Sequence, residues 1–215
     1  PVCGESIRWY DNIPVISYLM LRGKCRKCDE RISPLYPAIE LLTAVMAVLL
    51  FRKYGLSLDY LFFFLFTCAL IVITFVDLKH QIIPDIITLP GIPLFALAAI
   101  FFMDLTIKDS LLGILVGGGF LYAVALGYQL LTKREGMGGG DIKLLAMMGG
   151  FLGWQSIWFI IMAGSIVGAV VGISVMIRMG KDTKYAIPFG PFLSIAAVAY
   201  IFWGHAFMRR LFGVL

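Results

Sequence analysis

"LFFFLFTCALIVITFVD", residues 61–77, runs for sixteen positions without a charge and then ends on an aspartate. An apolar run that nears the roughly 20 residues a bilayer requires reads as a membrane-crossing helix. The rest of the chain agrees. Of its 215 residues, 60% are hydrophobic and 14% charged, with a mean hydropathy of +0.93. Soluble domains average about 45–50% apolar and about 25% charged residues. The fold class is therefore an all-α polytopic membrane protein.

Membrane helices fall at about 36–53, 58–76, 85–103, 111–131, 155–178 and 187–206, the second of them holding this run, with a shorter apolar piece at 142–153. At 1.5 Å per residue that piece covers only about 18 Å, against a hydrocarbon core of about 30 Å. It must end inside the protein, re-enter, or run on past Trp154. The count is about six to seven membrane segments. Residues 1–34 differ, with three of the four cysteines and six basic residues. They form a small polar domain outside the bilayer, followed by a membrane domain over 35–215.

The net charge of +5 reads as topology, because Lys and Arg concentrate in cytoplasmic loops. With the cysteine domain inside and the short piece crossing, 13 of the 18 basic residues are cytoplasmic and 5 external. Lipid is the expected surroundings and nucleic acid is not a partner. The 77–84 and 132–141 loops then share the cytoplasmic side.

Four acids sit in or against apolar segments: Glu40, Asp77, Asp85 and Asp141. Ionisable groups there are costly and are functional candidates. Asp85 follows Pro84 at a helix start, where the dipole favours an acid and proline suits the first position. Glu40, soon after Pro37, has the same structural reading. Asp77 does not, because it meets the negative end of a helix dipole. Asp141 follows Gly138, Gly139 and Gly140, where it serves equally as a cap or as a functional group. The glycines do not make a dinucleotide loop, which requires a preceding strand.

Asp77 and Asp141 lie on one side by the topology. Two close carboxylates do not readily ionise together, so one keeps a proton. The ionised member can take a proton from water while the other donates to a carbonyl oxygen. That is peptide hydrolysis without a covalent intermediate. Glycines would let an extended substrate strand approach.

These stretches resemble the type IV prepilin peptidases, membrane aspartic proteases of the G-x-G-D type. The blocks are "CGESIRWYDNIPVISYLMLRGKCRKC", "SPLYPAIELLTA", "DLKHQIIPDIITLPG", "GMGGGDIKLLAMMGGFLGWQ" and "IPFGPFLSIAA". The resemblance implies that Asp77 and Asp141 are the catalytic pair, with Gly138 and Gly140 at the motif's glycine positions and Asp85 not the catalytic acid. It implies cleavage of the basic leader of a prepilin or pseudopilin after a glycine, at the cytoplasmic face of the bacterial inner membrane. Methylation of the new N-terminus with S-adenosylmethionine is a second implied activity, and the residues themselves reveal no methyl-donor site; Gly23 and the cysteine domain are candidates. A type IV pilus and type II secretion are both open as the destination.

The family's polar domain carries two C-x-x-C pairs. Cys25 and Cys28 form one, and Cys3 belongs to the other, whose first cysteine is expected upstream of Pro1. Such thiolates would hold a structural zinc ion; reduced, unligated thiols are the alternative. Cys68 reads as a buried small apolar residue, His80 as a solvated loop residue, and His205 as a group near the outer end of the last helix.

A competing reading is a transporter in which Asp77, Asp85 and Asp141 relay protons or bind cations. It lacks an internal repeat and gives the cysteine domain no role. A zinc-stabilised assembly factor leaves the two acids unexplained. Presenilin-like proteases share G-x-G-D, but Val76 precedes the first aspartate here and the last helix begins "IPFGPF".

Overall fold

The computed structural model describes residues 3–133, 138–179, 188–204, 206, 207 and 210. Residues 1, 2, 134–137, 180–187, 208, 209 and 211–215, with His205, lie outside the described residues. The chain divides into two compact units, Pro1–Phe64 and Leu65–Leu215.

In the first unit, a 3₁₀ turn at Trp9–Asn12 precedes a short helix, α1 (Ile16–Met20). Ser17 joins them: its hydroxyl donates to the Tyr10 carbonyl at 3.1 Å and accepts the Ile13 N–H at 3.0 Å. Asp11 in the turn holds Arg26 by a forked pair of bonds, Nε to Oδ2 at 2.9 Å and Nη2 to Oδ1 at 2.7 Å. That geometry makes an Arg–carboxylate contact directional as well as attractive. The Cys25 N–H donates to the Glu30 carbonyl at 2.8 Å, and the Ile32 N–H to Gly23 at 2.8 Å. These bonds fold the segment back on itself, so Cys25 and Cys28 share one turn.

Helix α2 (Leu35–Tyr54) comes next, ending at Gly55 with φ 64°. Because α2 starts at Leu35, Glu40 lies in its second turn rather than at its start. It does not serve its own helix. Its Oε2 accepts the N–H of Val15, the residue preceding α1, at 2.7 Å. Val15 has φ 62°, which a β-branched residue avoids. Such a conformation costs about 1–3 kcal/mol and persists only where its surroundings enforce it.

Helix α3 (Leu58–His80) begins in the first unit and ends in the second. The second unit continues with α4 (Asp85–Phe102), α5 (Ile107–Thr132), α6 (Gly139–Leu152), α7 (Trp154–Met179) and α8 (Gly190–Ala199), the last passing into a π-helical turn at Tyr200–Gly204. Among the described residues no named strand occurs. Helices α2, α3, α4, α5 and α7 are long and apolar enough to cross a bilayer. The expected segment at 187–206 is helical over 190–204, and the expected start at 111 moves to Ile107. Thr106 caps that start, accepting the Asp109 N–H at 3.1 Å, a gain the hydropathy window cannot see.

The 14-residue helix α6 is the centre of this unit. Leu144 to Phe151 are all buried, including both Gly149 and Gly150. A helix apolar on all sides belongs in the interior. Its ring Phe151 meets Phe66 of α3 at 4.6 Å and Phe95 of α4 at 5.3 Å between centroids. Against α5 the contact is backbone to backbone. A Cβ on Gly113 would lie 2.0 Å from the Gly149 oxygen, and one on Gly117 2.5 Å from the Leu145 oxygen. Lipid tails are as apolar as leucine, so helices in a bilayer associate through such close fit rather than by escaping solvent. Ser110 adds a hydrogen bond to the Gly150 carbonyl at 2.7 Å. The short helix is therefore surrounded by protein, the setting in which an incomplete span is tolerated.

Candidate active site and cysteine cluster

Sequence reading ended the helix at Asp77, but α3 runs on to His80 and is stopped by Gln81 with φ 55°. Asp77 thus occupies the last turn, and its side chain is buried at 4% exposure. A carboxylate there faces the negative end of its own helix dipole. The compensation comes from another helix. The Gly190 N–H, at the start of α8, donates to Asp77 Oδ2 at 3.1 Å. The first amides of a helix have no partner inside it and carry the positive end of its dipole. The start of α8 supplies what the end of α3 withholds.

Gly190 is required there on steric grounds. A Cβ would sit 2.7 Å from Asp77 Oδ2 and 3.2 Å from Ile83 Cδ1. Ile83, in the loop between α3 and α4, also lies against Gly140, where a Cβ would be 2.8 Å from the Ile83 Cβ. One isoleucine is thus wedged against two glycines that open two helices. With a side chain at either glycine, α6 and α8 could not both close on the end of α3.

Asp141 is the third residue of α6, after its N-cap Gly138, and makes no capping bond. Its backbone N–H points to the Gly138 carbonyl at 3.3 Å. Its Oδ1 is buried without a hydrogen-bond partner among the described residues. Ile83 lies against Gly140, next to Asp141, and against Gly190, which binds Asp77, so the two acids share one neighbourhood. No side-chain cap bond is formed at the start of α6 among the described residues.

Gly138 and Gly139 differ from Gly140, since among the described residues a Cβ on either meets nothing within 4 Å. Gly136 lies outside the described residues. Asp85 has Pro84 as its N-cap and both its oxygens accept from Lys143 Nζ, at 2.8 and 2.7 Å. Lys143 is the fifth residue of α6, just past its first turn, and Asp85 pairs with it. His80 is exposed, and Cys68, expected to be buried, is only partly covered by the chain.

In the first unit, the sulfurs of Cys3, Cys25 and Cys28 all lie within 4.8 Å of one another, and those of Cys3 and Cys25 are 3.9 Å apart. Two thiolates each about 2.3 Å from a tetrahedral zinc ion would be about 3.8 Å apart, so the residues fit that metal. The backbone N–H groups of Cys28 and Lys27 point at the Cys25 sulfur and bring its thiol down to about 7. A thiolate near neutral pH is the form that binds metal. Gly23, at φ 70°, packs on the Tyr18 hydroxyl and would bring a Cβ within 2.9 Å of it, which gives this glycine a structural reason.

Sequence reasoning missed Gly190 and Ile83. The signal for the first was the G-P pair at 190–191, since proline favours the first helical positions. Nothing local marked Ile83.

The type IV leader peptidase family matches residues 64–173, and the bacterial peptidase A24 N-terminal domain matches residues 1–54. Among curated relatives, proteins named "Prepilin leader peptidase/N-methyltransferase" are similar over nearly the whole chain. The one from Dichelobacter nodosus is 41% identical, covering 99% of this chain and 73% of its own. That from Xanthomonas campestris pv. campestris is 39% identical, covering 95% and 71%. That from Pseudomonas aeruginosa is 37% identical, covering 97% and 72%. No solved structure matches the chain at a significant level.

Proposed function

This chain belongs to the type IV leader peptidase family, and on that premise we propose that it cleaves prepilin or pseudopilin leaders with Asp77 and Asp141 as the catalytic pair. The observation that supports this assignment is the wedge of Ile83 against Gly140 and Gly190, which holds the start of α6 and the Asp77 carboxylate in one neighbourhood. Asp77 is bound by Gly190, and Asp141 presents an unpartnered buried oxygen.

In this mechanism one member is ionised and the other protonated, as for two carboxylates that share a site. The ionised carboxylate takes a proton from an attacking water. The protonated one donates to the oxygen of the scissile carbonyl, and the roles reverse as the amine leaves. The Gly190 N–H fixes one oxygen of Asp77, so the other is the one free to act. Open space at Gly138 and Gly139 suits an extended substrate backbone passing over the start of α6. The active end of the membrane domain, 35–215, faces the cytoplasm of a multi-pass inner-membrane protein.

The new N-terminus is then methylated, with S-adenosylmethionine as the donor. Among the described residues no cluster is assigned to that donor. Cys3, Cys25 and Cys28 would hold zinc in the N-terminal domain, where the ion would fix the fold of the turn without taking part in hydrolysis. The transport reading of the same acids draws no support from the family or its named relatives, and Asp85, which it needs, is occupied by Lys143.

The test is to incubate the protein in lipid with a prepilin, beside Asp77→Asn and Asp141→Asn, and to measure product masses. Leader loss by the parent alone supports the pair. Cleavage by both variants would move the catalytic acids elsewhere. An added methyl mass with S-adenosylmethionine reports the second activity.

A further inference from the structure

Helix α1 is inverted relative to a helix in water. Its polar Ser17 is buried at 8% exposure, while Ile16, Leu19 and Met20 are 54%, 68% and 75% exposed. Positions i, i+3 and i+4 lie on one helical face, so these three make a continuous apolar stripe pointing away from the protein. Ser17 is held inward by both of its hydrogen bonds to the 3₁₀ turn, so the orientation is set by the fold.

The position of that stripe is also set. The bond from Val15 N–H to Glu40 ties the start of α1 to the sixth residue of α2. At 1.5 Å per residue this is about 8 Å along α2 from its first residue. Helix α2 has 20 residues and is a candidate membrane span, just long enough for a core of about 30 Å. A group fixed to its second turn therefore lies about 8 Å inside the edge of that core, within the roughly 5–10 Å to which an interfacial helix sinks its apolar face. The strained Val15 at φ 62° is the hinge through which the bond places α1.

Cations continue the pattern beyond α1. Arg22 and Lys24 come directly after the stripe and make no ion pair among the described residues, unlike Arg26 with Asp11 and Lys27 with Glu5. Trp9, on the turn that Ser17 binds, is exposed. Apolar residues flanked by cations and an indole are the composition of a segment lying in the headgroup region. Basic groups beside a membrane gain from anionic lipid.

We propose that α1 lies in the interfacial region of the bilayer, with Ile16, Leu19 and Met20 on the acyl chains and Arg22 and Lys24 among phospholipid headgroups. The cysteine turn is then anchored to the membrane at two points, α1 and α2. This rests on α2 crossing a bilayer and not on the peptidase reading, so cleavage assays bear on neither outcome.

The test places a tryptophan at position 19 of the full chain, Leu19→Trp, in vesicles of phosphatidylcholine and phosphatidylglycerol, with Glu5→Trp as the aqueous control. Emission from the added indole is read as the difference from the parent. Lipid brominated near the headgroup end of its chains should quench the indole at 19 at least twofold and leave that at 5 unchanged. No quenching, with the emission of a hydrated indole, overturns the proposal. Blue-shifted emission that ignores brominated lipid and rises with protein density overturns it in favour of a second copy covering the stripe. In the unaltered chain, a phospholipid carrying a photoreactive group near its headgroup should label residues 16–24; labelling confined to 35–54 overturns it equally.

Discussion

The Gly190 amide donates to Asp77 Oδ2 across 3.1 Å, joining residues 113 positions apart in the chain. The positive end of α8 thereby meets a carboxylate that sits at the negative end of α3. Gly190→Ala would put a Cβ 2.7 Å from that oxygen. A misplaced catalytic group costs about a hundredfold in rate per ångström or so. Gly190→Ala is expected to lower kcat for leader cleavage by about that factor while KM changes little. Wild-type kcat in the variant would show that this bond does not position Asp77.

The glycines of G-x-G-D should separate by role. Gly140→Ala collides with Ile83 at 2.8 Å and is expected to lower both thermal stability and cleavage. Gly138→Ala meets nothing within 4 Å among the described residues, so it should leave the melting temperature unchanged and, on the proposed substrate path, act on KM. Equal melting temperatures for the two variants would count against the wedge.

Asp85 and Lys143 form an ion pair whose side chains are 54% and 36% exposed. Pairs that open to solvent contribute about 1 kcal/mol or less. Asp85→Asn is therefore expected to keep most of the cleavage rate and to shift unfolding only slightly. Complete loss of cleavage in a folded Asp85→Asn protein would make Asp85, rather than Asp77 or Asp141, a reacting group.

Cys25→Ser or Cys28→Ser is expected to lower bound zinc and the stability of the first unit, leaving the position of the scissile bond unchanged. Elemental analysis against protein concentration checks this, and unchanged zinc would remove the site. Protons compete with metal for thiolate. Zinc content should therefore fall as the pH is lowered from neutral and protons reclaim the thiolates, among them Cys25, whose thiol the Cys28 and Lys27 amides hold down at about 7.

Much of the fold was legible because a bilayer makes hydropathy a local property. A residue in hydrocarbon is apolar whichever neighbour it has, so the runs around 36–53, 58–76 and 85–103 emerged near α2, α3 and α4. The acids were legible for the same reason, since charge is expensive there. What the sequence by itself determined was the helical membrane class, the family resemblance, the anomaly of Asp77 at a helix end, and the pairing of C-x-x-C cysteines. The tertiary structure decided which groups answer one another. Glu40 steadies α1 instead of its own helix, Gly190 relieves Asp77 from 113 positions away, and Ile83 sets the approach of α6 and α8. Hydrogen bonds and steric fit act over a few ångströms between residues that are remote in the chain, so no local pattern encodes their partners.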